Sequence, residues 1–210
     1  MPSFSGSKHN KPRGLQRKLK ILYKPLAHWH PVTRQLLNWV VTAGSVLFCL
    51  LMLPTRSVGM ELLGIGPDWL LIWVVSWSVK RSFWQGVLAG IVLGLLQDAM
   101  TSPHPTHAIT LGFVGGLTSL LQKPRFIQED FISIALIVFV MAVVAVTIFG
   151  IQLTWMNNGD GGESLRKIEY IWAYHKRVAL ASAILSSLWA PVVYYPLNLW
   201  WQKMKLLEQG

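Results

Sequence analysis

The feature that most constrains this chain is a series of six apolar runs of unequal length. Three are long, at 36–53, 131–156 and 178–201, and three are short, at 68–79, 83–96 and 108–121. A helix rises 1.5 Å per residue, so the short runs cover only about 18–21 Å of a hydrocarbon layer roughly 30 Å thick. They reach across only by borrowing their flanks. The second run extends back to Leu62 at the cost of including Gly64, Gly66, Pro67 and Asp68, and the third extends through Gln97 and Asp98 to Met100. Polar groups at membrane depth are therefore built in. Charged residues make up 13% of the chain, against roughly 25% in a soluble domain, so lipid takes the place of much of the usual polar surface. The expected fold is all-α: a polytopic membrane protein whose six-helix transmembrane bundle occupies 36–201, with spans at 36–53, 62–79, 83–100, 108–121, 131–156 and 178–201.

The positions of Lys and Arg orient this bundle. The first 34 residues carry eight of them and no acid. That places the basic tail, 1–35, and with six spans also the C-terminal tail, 202–210, in the cytoplasm. Fourteen of the 19 basic residues then lie on the cytoplasmic side. The exceptions are Arg56 and a cluster of Arg166, Lys167, Lys176 and Arg177. That cluster shares 165–177 with Leu165, Ile168, Ile171 and Trp172 at helical spacing, which suggests a helix lying along the interface before a bend into the last span. The tail has no apolar core ahead of residue 36, so the first span reads as a retained signal anchor. It carries no nucleic-acid recognition motif, and its expected partner is anionic lipid, with no nucleic acid. The single cysteine, Cys49, cannot form an internal disulfide.

Two residue patterns stand out inside the runs. Gly86, Gly90 and Gly94 recur every four residues, with Asp98 next in the series, and Gly112 and Gly116, with adjacent Gly115, answer from the following run. Such a stripe lets helices approach closely where packing rather than water expulsion drives association. It serves helix packing within the bundle or receives a partner's helix. Trp69, Trp73 and Trp77 form a second stripe, which contacts lipid or receives a membrane partner as an aromatic anchor.

Asp68 and Asp98 are the acids at span borders, where ionisable groups are costly. Asp68 follows Gly66-Pro67 and suits a helix N-cap. Asp98 falls at a helix C-terminus, where the dipole disfavours it. It therefore calls for a specific partner: His107, Thr106 or an approaching protein. The spacing of Asp98, His104 and His107 matches no metal-ligand signature, and no hydrolase, phosphate-loop or protease motif occurs. No catalytic residue, metal or cofactor is expected.

The order Gly66-Pro67-Asp68-Trp69-Leu70-Leu71, then Lys80-Arg81, then Gly86, Gly90 and Gly94 followed by Leu95-Leu96-Gln97-Asp98, then Ser102 to His107-Ala108 resembles the bacterial rod shape-determining MreD family. The resemblance runs from about residue 36 to 156. It implies a non-enzymatic component of the inner membrane that acts in cell elongation. The implied partners are an MreC-like periplasmic scaffold, MreB, and the RodA and transpeptidase enzymes of peptidoglycan synthesis. The family is also similar in architecture to the S-components of energy-coupling-factor transporters. That makes a vitamin-binding transporter subunit the alternative.

Overall fold

Glycine and proline punctuate the chain into helices whose lengths follow the apolar runs. The computed structural model describes residues 30–54, 61–62, 64–101, 106–121, 131–157 and 164–208. These residues are all-helical apart from turns: α1 (Pro31–Met52), α2 (Trp69–Ser78), α3 (Phe83–Thr101), α4 (Thr106–Leu121), α5 (Phe131–Asn157) and α6 (Ser164–Glu208). Pro31 opens α1 at a position where its missing N–H is no loss, so the helix takes in the last residues of the expected tail. The rest of that tail, 1–29, and the lipid contact expected of it lie outside the described residues.

Helix α2 is the pillar of the fold. Its sequence, WLLIWVVSWS, is apolar on every face, and a helix of that kind is stable only when surrounded. All five other helices pack against it, and Leu70, Ile72, Val74 and Val75 are fully buried. Within the expected span over 62–79 the helix begins only at Trp69, and 64–68 ahead of it is non-helical. Ahead of it, Leu62 and Ile65 exchange backbone hydrogen bonds around Gly64, whose φ of 78° suits glycine. Pro67 then disfavours helical geometry at Gly66.

The tryptophan stripe turns largely inward. Trp69 and Trp73 are buried in the protein core, away from the outer face expected for lipid contact, and Trp77 is half-buried. Trp69 packs on Trp189 of α6, and Trp73 stacks on Trp77. The Trp73 indole N–H donates to Ser45 Oγ of α1 at 2.8 Å. Trp73→Phe keeps an aromatic ring but loses this bond and part of the buried indole's volume, and is expected to destabilise the protein by about 1–3 kcal/mol, measurable by unfolding in mild detergent.

The stretches expected as an interfacial helix (165–177), a last span (178–201) and a C-terminal tail (202–210) form one continuous helix, α6, as far as Glu208. No glycine interrupts it before that point. Pro191 and Pro196 each remove one backbone donor within it, a loss tolerated where neighbouring helices enclose the backbone.

Four helical segments are long and apolar enough to cross a membrane: Val32–Met52, Phe83–Thr101, Phe131–Trp155 and Lys176–Lys205. Large apolar side chains such as Trp39, Trp84, Phe113, Ile132, Trp155 and Leu188 are exposed on the outside. On a soluble protein a surface of this extent would drive association; in lipid it is the ordinary outer face.

Candidate functional site at the hairpin of α3 and α4

The densest packing in the molecule is between α3 and α4. A Cβ on Gly86 would come within 2.5 Å of the Gly115 carbonyl oxygen, one on Gly90 within 2.5 Å of the Leu111 carbonyl carbon, and one on Gly94 within 2.5 Å of the His107 carbonyl oxygen. Backbone atoms stand in the way in every case, joined at Gly86 by the Ser119 hydroxyl, so the two helices touch main chain to main chain. On α4 the strict partner is Gly115, whose added Cβ would meet the backbone of Gly86. Gly112 and Gly116 differ in kind. A Cβ there would crowd only side-chain atoms, Ile91 Cγ1 at 2.8 Å and Val87 Cγ2 at 2.8 Å, with the nearest backbone atom at Gly112, the Val87 carbonyl oxygen, at an ordinary 3.7 Å.

This antiparallel pairing brings the end of α3 to the beginning of α4, and Asp98 uses the junction. Its Oδ1 accepts from His107 Nδ1 at 2.7 Å and from the His107 backbone N–H at 3.0 Å. Its Oδ2 accepts from the Ala108 N–H at 3.0 Å. The Thr106 hydroxyl lies at the edge of reach, 3.5 Å from Oδ1. A carboxylate that its own helix terminus disfavours is thus held by the N-terminus of the next helix, where free N–H groups and the dipole favour an anion. Since a carboxylate only accepts, the Nδ1 facing it carries the proton. The ring of His107 packs on Phe149 of α5, with centroids 5.1 Å apart.

The polar set continues inward. The Thr110 hydroxyl donates to the Thr106 carbonyl, and Gln152 of α5 donates to Thr110 Oγ1 at 3.1 Å. Asp98, Thr106, Thr110 and Gln152 therefore tie three helices together in the apolar interior. Gln97 beside them is buried, and its Oε1 has no hydrogen-bond partner among the described residues.

Asp68 belongs to a separate set. It is the N-cap of α2: its Oδ1 accepts from the Leu71 N–H at 3.0 Å, while its own N–H donates to Ser186 Oγ of α6 at 2.9 Å. The second acid thus also fastens one helix to another. Among the described residues no group of three or more His, Cys, Asp or Glu side chains is arranged to hold a metal, and His104 lies outside them. Thr110, Ser186 and Gln152 are the members that sequence reading passes over. Gln152 carries the clearest signal, as a lone amide in a long apolar helix, where such groups seek interhelical partners.

Apolar outer faces, helices of spanning length and polar groups turned inward to bind helix to helix define a helical membrane protein. The family model of the rod shape-determining protein MreD matches residues 33–160. That is more than half of the chain, which therefore belongs to this family of bacterial proteins that determine rod shape from the membrane. The match takes in α1, from its third residue, through α5, and all of α6 lies beyond it. No curated protein matches the chain.

Proposed function

We propose that the chain is a non-enzymatic component of the cell-elongation machinery in the bacterial inner membrane. It crosses six times with both termini in the cytoplasm, and it scaffolds or regulates peptidoglycan synthesis through an MreC-like periplasmic scaffold, together with MreB, RodA and the associated transpeptidase. The observation that carries this reading is how Asp98 is used. The most unusual ionisable group in the apolar interior, with His107, closes the hairpin of α3 and α4 and thereby stiffens a rim on which another protein can seat. Asp68 caps α2 in the same structural manner.

In this reading α2 and α4, although short, cross with the help of their flanks. In the same reading the bundle shares the architecture of transporter S-components but serves assembly in place of vitamin binding. The two cavities described are lined by Phe83, Val87, Ile91 and their neighbours in one, and by Ile151, Thr154, Trp155 and Trp172 in the other. Neither offers the convergent polar groups that hold a small polar ligand. The test is purification of the tagged full chain from native membranes in mild detergent, read by proteomics and by small-molecule mass spectrometry. Recovery of the MreC-like scaffold with the chain is the expected result. A stoichiometric vitamin and no elongation protein would overturn the proposal.

A further inference from the structure

The hairpin of α3 and α4 carries a second feature on its outer side. A cavity of about 570 Å³, open to the surroundings, runs between the two helices from Phe83 and Leu120 at one end to Ile91 and Ile109 at the other. Gly112 and Gly116 lie in its wall. These two are the glycines that backbone contact does not demand, since a Cβ there would crowd only side chains. What their bareness does is keep the groove open. From Phe83 to Ile91 the groove follows eight residues of α3, about 12 Å, comparable with the roughly 15 Å of hydrocarbon in one leaflet.

A basic residue stands next along the chain from the Phe83 end of the groove. Two residues before Phe83 is Arg81, exposed, with its guanidinium held 5.1 Å from the centroid of the Trp77 ring. An apolar slot in a membrane-facing wall with a cation two residues beyond one end of its lining is complementary to an amphiphile with an apolar chain and an anionic head. Hydrocarbon gains little by moving from bulk lipid into a protein slot, so the selectivity comes from shape and from the charge. We propose that the groove between α3 and α4 holds one acyl chain of an anionic phospholipid, with the headgroup phosphate against Arg81. This site is separate from the basic N-terminal tail and does not depend on which proteins the chain assembles with.

The full chain, reconstituted with phosphatidylglycerol bearing a diazirine on one acyl chain, tests this. Labelling is expected to concentrate on Ile109 and Phe113 and to exceed that by the matching phosphatidylcholine probe. Arg81→Gln should reduce that preference about fivefold, the effect of one basic side chain at a membrane surface. Ile109→Trp fills the slot from its exposed edge without touching the packed backbones, and should abolish the concentrated labelling. Gly116→Leu fills it from the wall and should do the same wherever it folds. Even labelling over the outward faces of α5 and α6, at Leu136 and Leu188 as much as at Phe113, would overturn the proposal. So would equal labelling by the two lipids. A photocrosslinker at Phe113 that captures a protein helix or a second copy of the chain in native membranes would overturn it as well.

Discussion

Gly90→Ala is expected to destabilise the protein by about 3 kcal/mol, the upper part of the range for overpacking a tight interior, and Gly90→Leu to leave no folded protein. The added Cβ would stand 2.5 Å from the Leu111 carbonyl carbon and 2.7 Å from the Gly112 nitrogen. These atoms are main chain on a neighbouring helix, so no rotamer change relieves the contact; the helices must separate along their length. Separation would also draw Gly86 from Gly115 and Gly94 from Ala108. Monodisperse yield on size exclusion and the unfolding temperature in mild detergent measure the effect. Gly112→Ala is the matched comparison. It meets Ile91 Cγ1 at 2.8 Å, a side-chain atom where Gly90 meets main chain, and should cost about 1 kcal/mol, the lower end of the overpacking range. Equal losses at the two positions would show that the main-chain contact is not what holds the hairpin.

Asp98→Ala is expected to cost about 3–5 kcal/mol, the range for removing one member of a buried pair. It leaves the backbone N–H groups of His107 and Ala108 and the His107 ring without their acceptor, and each stranded donor carries its own desolvation cost. Asp98→Asn keeps one oxygen but presents an amide donor where the second oxygen accepted, so it should fall between alanine and wild type. Hydrogen exchange locates the damage. Protection should be lost first at the amides of His107 and Ala108 and only later in α2, whose cap is Asp68. Uniform loss across the bundle would mean that Asp98 contributes to general stability without clamping this junction.

Much of this architecture is legible in the residues, and the parts that are not have identifiable causes. Apolar runs place the helices within a few residues of α1, α3, α4 and α5, because in lipid a helix must satisfy its own backbone. The period of four glycines marks the packed face of α3, since steps of four stay on one side of a helix. On α4 the same reasoning meets Gly115 and Gly116 side by side, and spacing alone does not say which of them faces α3. The tryptophans of α2 mislead for a related reason. An indole is equally at home against lipid and against protein, so a stripe of three does not distinguish the two. The cue that does distinguish them is the absence of any polar face on so short a helix. The long helix α6 is hidden by its charges, because Arg166, Lys167, Lys176 and Arg177 read as a boundary where the backbone has none. Asp98 is legible as an anomaly. Its solution needs the third dimension, because the donors that satisfy it come from the next helix.

In the function proposed above, the hairpin closed by Asp98 is what lets this membrane protein support rod shape. Depletion of the chain in its own host, with a second copy supplied as wild type or Asp98→Ala at matched membrane levels, tests this most directly by cell-shape microscopy. The account predicts that depleted cells round up, that wild type restores rods, and that Asp98→Ala does not. Cells that stay rod-shaped on depletion, or that the Asp98→Ala protein restores as fully as wild type, would contradict it.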